Sequence, residues 1–361
     1  MSNFEDIRFF HDHEVQPALR QYVKHPMIKA LLQFTFPEKA FSEIEEIALS
    51  CSSIRDFQTR IIYSSVQKVL EKSSDGLSYD GFEKLDREAS YMYISNHRDI
   101  ILDTSLLNCV LYEQELKMTA SAIGDNLVKK PFLLLLSRIN RNFLVQRGLG
   151  PREMLKSSQN LSDYIRHLLL EDRRSVWMAQ REGRTKDGND TTQQGVLKML
   201  AMAKGDLDIA EYFSKIKIVP VAISYEFDPT DILKMPEIMA KRMETSYVKS
   251  ANEDFNSIMQ GALGNKGRIH IKAGEVLTQE WFKDLERENS STNDLLKAIA
   301  ANIDEKIHKN YKLWPANYIA LDLLNNDKIY ASHYSIKEKR QFERRLTRRI
   351  DVKNSLEVNS Y

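Results

Sequence analysis

His97 and the carboxylates near it are the residues whose type and spacing best suit proton transfer. The segment Ser95-Asn96-His97-Arg98-Asp99-Ile100-Ile101-Leu102-Asp103 follows an apolar run, Tyr91-Met92-Tyr93-Ile94, that reads as a strand. A helix is expected over 102–112. A histidine at the carboxyl end of a strand, opening a helix, sits where α/β folds hold their ligands. Asp99 or Asp103 could orient the imidazole and balance its charge, leaving the other ring nitrogen to take a proton from a hydroxyl. The plainer alternative is a structural histidine beside a carboxylate, since the chain has eight histidines.

Three further blocks carry polar groups at the ends of apolar runs. Asn142-Phe143-Leu144-Val145-Gln146-Arg147-Gly148 delivers an arginine beside a glycine, and a guanidinium fork suits phosphate. Ala179-Gln180-Arg181-Glu182-Gly183-Arg184-Thr185-Lys186-Asp187-Gly188 follows the strand-like Ser175-Val176-Trp177-Met178-Ala179. Such a loop can turn amides and cations toward an anion while Glu182 accepts from hydroxyls. Ile218-Val219-Pro220-Val221-Ala222-Ile223-Ser224-Tyr225 is an apolar run in which Pro220 suggests an edge strand or a bulge, the alternative being a plain buried strand. Each block alone also reads as ordinary structure: a surface arginine, a polar turn, a core strand. His97-Arg98-Asp99 opens like a kinase catalytic loop, but Thr104 stands where Asn is needed. Gly148 and Gly150 lack the third glycine of a nucleotide loop.

The elements that must position these blocks follow from the wider pattern. Residues 1–75 show helical periodicity, as in Phe41, Ile44, Ile47 and Ala48, with Pro17, Pro26 and Pro37 marking helix starts or turns and a turn at 73–76. From 76 to 275 short β-favouring runs, ending with Arg268–Lys272, alternate with helices expected at 102–112, 152–172 and 191–214. This is the signature of an α/β domain with a mostly parallel sheet flanked by helices. Residues 276–361 read as a helical extension. Within it, 337–353 holds eight basic and three acidic side chains, with Phe342, Leu346 and Ile350 on one stripe. That segment is either a solvated terminal helix or a docking surface for anionic head groups or an acidic carrier protein.

Composition bounds the function. The chain has 361 residues, 42% apolar and 29% charged, an ordinary globular mix. Its net charge of +1 argues against a nucleic-acid binder. Mean hydropathy is −0.45. The longest run free of Asp, Glu, Lys, Arg and His is Phe255–Asn265, eleven residues, short of the roughly 20 that span a bilayer. The acidic start of the chain does not read as a secretory signal. Cys51 and Cys109, far apart, fit a reducing compartment and buried packing. His11-Asp12-His13 has metal-ligand residue types, but adjacent residues on one short segment rarely face one ion, so no metal site is expected.

The order of the four blocks resembles the glycerol-phosphate and lysophosphatidate acyltransferase family over 77–275. That family shows Asn-His-Arg-Ser with a following Asp, a Phe–Ile–Arg block, Pro-Glu-Gly-Thr-Arg-Ser, and Val-Pro-Val. Two departures stand out. The family Asp comes five positions after the His, but position 102 here is Leu. Leu102-Asp103 before Leu106-Leu107 favours Asp103, with Asp99 the alternative. Gln180-Arg181 replaces the usual Phe-Pro, and Arg184-Thr185 stands where Thr-Arg is common.

The resemblance implies acyl transfer from acyl-CoA or acyl carrier protein to a lysolipid hydroxyl, with no cofactor and no metal. His97 would be the general base and Asp103 or Asp99 its partner. Asn96, Arg98, Phe143, Arg147, Glu182, Gly183, Arg184 and Lys186 would bind substrate. Glycerol 3-phosphate or an N-acyl amino-acid lipid are alternative acceptors. A lipid-binding protein that has lost catalysis is the alternative of another class. The acyl chain could lie along Lys129-Lys130-Pro131-Phe132-Leu133-Leu134-Leu135-Leu136, a stretch that also reads as a core helix. The location implied is cytoplasmic, peripheral on the inner face of the membrane, reached through the N-terminal helices or the basic tail.

Overall fold

The computed structural model describes residues 4–250 and 252–349. Helices α1 (Asp12–Tyr22), α2 (Pro26–Thr35), α3 (Phe41–Leu49), α4 (Ile54–Phe57) and α5 (Tyr63–Ser73) come first, α5 entered through a π-helical turn at Gln58–Ile62. Their inward faces, with Val15, Leu32, Ile44 and Phe57, form one apolar core. Pro26 opens α2 as expected, but Pro17 lies inside α1. There it removes one amide donor while Val15, Ala18 and Leu19 still bury the helix.

The sheet contains β1 (Leu77–Asp80), β2 (Met92–Ser95), β3 (Ala120–Gly124), β4 (Asn142–Val145), β5 (Val176–Ala179), β6 (Ile218–Tyr225) and β7 (Ile269–Ala273), in the order β1-β7-β6-β2-β5-β3-β4. β6, β2, β5, β3 and β4 are mutually parallel. β7 runs antiparallel to β6, and β1 follows β7. The fold is α/β with a mostly parallel sheet flanked by helices. β2 and β6 are buried along their whole length because helices cover both faces, which is why they read as continuous apolar runs.

Pro220 is on an interior strand, neither at an edge nor at a bulge. It pairs with Ile94 on one side, and on the other its carbonyl accepts from Gly274, just before the first β7 pair, Val221 with Ala273. Its missing amide therefore falls where the β7 ladder has not yet begun.

Helices α6 (Leu102–Glu113), α7 (Pro131–Ile139), α8 (Pro151–Arg166), α9 (Gln194–Ala201), α10 (Ile209–Lys215), α11 (Asp231–Arg242) and α12 (Glu253–Leu263) connect the strands. Two expected helices are modified. The one expected at 152–172 finishes as a π-helical turn at His167–Glu171. The one expected at 191–214 is two, because Gly205 adopts φ +60° and Asp208 caps a new start through Glu211 N. β3 carries no strong sequence signal and was not expected.

The chain continues through α13 (Gln279–Glu288), α14 (Thr292–Asn310), α15 (Pro315–Asn325) and α16 (Ile336–Arg349). α16 is the basic helix, and Ile350 and 351–353 of the expected segment lie outside the described residues. It is not simply solvated: Phe342 and Leu346 are half-buried, and Arg345 and Arg349 reach Asp231 Oδ2 at 2.9 and 2.7 Å. Among the described residues no helix is long and apolar enough to cross a membrane.

Candidate active site

The parallel strands set their carboxyl ends along one edge, and the blocks singled out above leave from it. His97 follows β2, and its Nδ1 lies 2.7 Å from Asp103 Oδ2. Against a carboxylate Nδ1 carries the proton, so Nε2 is the nitrogen with a free lone pair. The Trp177 ring meets the imidazole edge-on at 5.4 Å, and Trp177 Nε1 donates to Ser95 Oγ. Asp103 is buried and fully engaged. Its Oδ2 also accepts the backbone amides of Arg98 (2.7 Å) and Asp99 (3.0 Å), and its Oδ1 accepts the Tyr225 hydroxyl (2.9 Å). Burial, then the Asp103 charge, push the Tyr225 phenol far up, so it remains a donor. The first turn of α6 adds its own favourable dipole to Asp103.

Asp99 does different work. Its Oδ1 accepts from Ile101 N (3.0 Å) and Leu102 N (2.8 Å), capping α6. Its Oδ2 is buried without a hydrogen-bond partner and faces α12, where a Cβ on Gly261 would lie 2.0 Å away. Burial, then the Asp103 charge, push this carboxyl above the usual carboxylate range.

Three residues expected at the substrate are structural instead. Asn96 is buried and clamps β2 to β6, donating from Nδ2 to Ile223 O (2.9 Å) and accepting Ile223 N at Oδ1 (2.8 Å). Arg98 grips Asp190 (3.1 and 2.5 Å), and its guanidinium lies over the Tyr311 ring. Phe143 is wholly buried, edge-on to Tyr164. Phe143 lies within β4, where side chains alternate between faces, whereas Asn96 and Arg98 lie past the end of β2 and turn to β6 and Asp190.

Beside His97 lies a cleft of about 1640 Å³. Arg147, Glu182, Gly183, Arg184 and Lys186 all line it, as does Arg181. Gly183 supports the turn with φ +70°. Thr185 N donates to His97 O (3.0 Å) and Thr185 Oγ1 to Asp190 (2.7 Å), so the 180–188 loop is tied to the histidine block at two points. Gln180 does not line the cleft, whereas its neighbours Ala179 and Arg181 do. Much of the remaining lining is apolar, with Leu31 and Phe34 of α2, Val66 of α5, Phe132, Leu133 and Leu136 of α7, and Phe255 and Ile258 of α12, interspersed with uncharged polar side chains such as Ser105, Asn126 and Asn142. α7 is thus both a cleft wall and a core helix, since Leu135 and Ile139 pack into the N-terminal core.

The charges in the cleft follow a simple pattern. Four carboxylates line it, and each is paired: Glu182 with Arg147 (2.6 Å), Glu237 with Lys186 (2.8 Å), Asp187 with Lys241 (3.1 Å), Asp254 with Lys249 (2.8 Å). Glu182, Arg147 and Lys186 are therefore engaged with protein groups rather than free for substrate. Arg181, Arg184 and Arg242 also line the cleft, and among the described residues none of them has a carboxylate in ion-pair range. Arg184 is buried, with Nη1 3.5 Å from Thr230 Oγ1.

Among the described residues no group of three or more His, Cys, Asp and Glu side chains is arranged to hold a metal ion. His11 and His13 stack on one another, and Asp12 Oδ1 accepts from Ile54 N.

The family model for acyltransferases matches residues 77–224, from β1 to the end of β6. Residues 77–224 are an acyltransferase domain. No curated protein sequence matches it. Among solved structures it is similar to the crystal structure of the 1-acyl-sn-glycerophosphate (LPA) acyltransferase, PlsC, from Thermotoga maritima. Identity is 11% and the TM-score 0.43, over 83% of this chain and 96% of that one.

Several groups that complete this acyltransferase site have no sequence motif of their own. Tyr225 was visible only as the polar end of the β6 run. Asp190 and Lys234, whose Nζ donates to Arg98 O (3.1 Å), carry no local signal. The fold alone brings them to the histidine block.

Proposed function

We propose that this acyltransferase moves a fatty acyl group from a thioester of coenzyme A or acyl carrier protein to the free hydroxyl of a lysophospholipid such as 1-acylglycerol 3-phosphate. The observation that carries this reading is that His97, held at Nδ1 by Asp103, lines a cleft with largely apolar walls whose cations without a carboxylate are arginines. His97 Nε2 takes the proton of the acceptor hydroxyl as its oxygen attacks the thioester carbonyl. The C–O bond forms, the tetrahedral centre collapses, the C–S bond breaks, and the imidazolium returns the proton to the departing thiolate. No covalent acyl-enzyme forms. Asp103 fixes the tautomer and balances the imidazolium, a contribution typically worth about 10²–10⁴ in rate together with the base itself. Arg184 and Arg181 neutralise the acceptor phosphate.

The cleft exceeds the roughly 300–1,000 Å³ of an ordinary small-molecule site. That favours an acceptor that brings its own chain over glycerol 3-phosphate. The protein would work at the inner membrane surface, where both substrates partition. The test is purified protein with labelled acyl thioesters and a panel of lysophosphatidate, glycerol 3-phosphate and N-acyl amino-acid acceptors. Lysophosphatidate is expected to be acylated fastest, and a His97→Ala variant with full turnover would overturn the mechanism.

A further inference from the structure

The apolar residues left exposed on this protein are informative by position, since a large aliphatic side chain in water costs free energy unless something covers it. The N-terminal helices do not supply them: their apolar faces turn into the core and the cleft wall. A set of them surrounds the cleft mouth. Met154 at the start of α8, and Met259 and Leu263 on α12, line the cleft and are exposed. Leu155, Met243 and Val248 stand next in sequence to the lining residues Met154, Arg242 and Lys249, and are 64%, 67% and 84% exposed. Met243 and Val248 belong to the segment between α11 and α12. Beside them Arg242 is the exposed one of the three cleft arginines without a carboxylate.

We infer that this rim, formed by the start of α8 and the α11–α12 segment, is the surface that docks on an anionic lipid bilayer and aligns the cleft mouth with it. Aliphatic side chains entering the acyl boundary with an uncompensated cation at head-group level are the pairing such a surface requires. The occupant is a bilayer because the exposed side chains there are aliphatic, with one exposed arginine, Arg242, among them. The same opening must also admit an acceptor whose tail resides in lipid. This inference rests on the proposed lysophospholipid acceptor.

The experiment is co-sedimentation of the full chain with phosphatidylcholine vesicles, with and without phosphatidylglycerol, read as binding and not as turnover. The wild-type protein is expected to bind, more tightly with phosphatidylglycerol and less at high salt. The Leu155→Asp/Met243→Asp/Val248→Asp variant is expected to bind at least about tenfold more weakly, given the burial lost per aliphatic side chain. None of the three lines the cleft, so its turnover of a water-soluble short-chain acceptor without vesicles should match wild type, which also reports that it is folded. Arg242→Glu is expected to lose the phosphatidylglycerol preference. Equal vesicle binding by the triple variant, or none by wild type, overturns the inference. So does a triple variant that binds vesicles normally but fails only with acyl carrier protein donors, since the rim would then dock the carrier. Because binding is read directly, a failure of the His97 mechanism would leave this result standing, and the reverse also holds.

Discussion

Arg98 and Asp190 are 92 residues apart in sequence and meet through two hydrogen bonds, at 3.1 and 2.5 Å, one residue along from His97. The pair joins the His97 block to the 180–188 loop, because Asp190 also accepts from Thr185, and Thr185 donates its amide to His97 O. His308 on α14 lies 3.0 Å from Asp190 O, and Lys234 holds Arg98 O. Both charged side chains are nearly closed to water. Removing one partner leaves the other charge buried and unpaired. Arg98→Met is therefore expected to lower unfolding free energy by about 3–5 kcal/mol in urea titration. Arg98→Met/Asp190→Leu should recover most of that loss, and a double variant as unstable as the single one would refute this account.

Asp103 and Asp99 are separable by experiment. Asp103→Asn leaves a group that can no longer fix the imidazole tautomer, and kcat is expected to fall by about 10²–10⁴. Asp99→Asn keeps the oxygen that caps α6, so turnover is expected to stay within a few fold of wild type. Because burial raises the Asp99 pKa, ionising it opposes folding. The stability deficit of wild type against Asp99→Asn should therefore appear above the ordinary carboxylate pKa and vanish in acid.

Gly261 allows α12 to rest directly on Asp99. A helical Gly→Ala change alone adds about 0.5–1 kcal/mol. Here the new Cβ would sit 2.0 Å from Asp99 Oδ2, whose carboxyl is fixed by two backbone amides. Gly261→Ala is expected to destabilise by about 1–3 kcal/mol in urea titration. Gly261→Ala/Asp99→Ser, which shortens the obstacle while keeping a capping hydroxyl, should do better than the sum of the single changes.

Lys266 gives a pH signature. It is buried, with Nζ donating to Ser73 Oγ (2.8 Å) and to the carbonyls of Ala262 (3.0 Å) and Gly264 (2.8 Å), and burial lowers its ammonium to about 8. The unfolded side chain titrates near about 10.4. Between these values the unfolded chain binds the extra proton, so stability rises with pH there, and below pH 8 the whole penalty is present. Wild type should gain on Lys266→Met as pH rises from 8 to 10, measured by urea midpoints. A flat difference would refute the assignment.

Much of the architecture was legible in the sequence because strand and helix periods differ. β2, β5 and β6 are apolar runs of strand length, and α6 opens at the residue where polar spacing gives way to apolar. The Asp103 choice was legible too, from Leu102-Asp103 and the apolar pair after it. Asn96, Arg98 and Phe143 were misread because order along the chain does not say which partners a residue meets across the fold. Two were drawn to β6 and Asp190, and the third to Tyr164. The pairing of Arg147, Lys186 and Lys241 was equally hidden, since each partner comes from a distant segment.

The reversed direction of β7 has a consequence of its own. Because β7 runs back along β6, with Tyr225 opposite Ile269, residues 226–268 leave the sheet and return to it at the same end. That excursion holds α11, α12, Arg242 and Gly261, and the backbone ladder closes beneath it through Glu226 with Arg268 and Phe227 with Lys266. It is a cassette mounted on a closed hairpin. Its length and contents can change while His97, Asp103 and the strands that carry them keep their register, so the same histidine–aspartate pair can be offered to substrates of different size by exchanging only the cover.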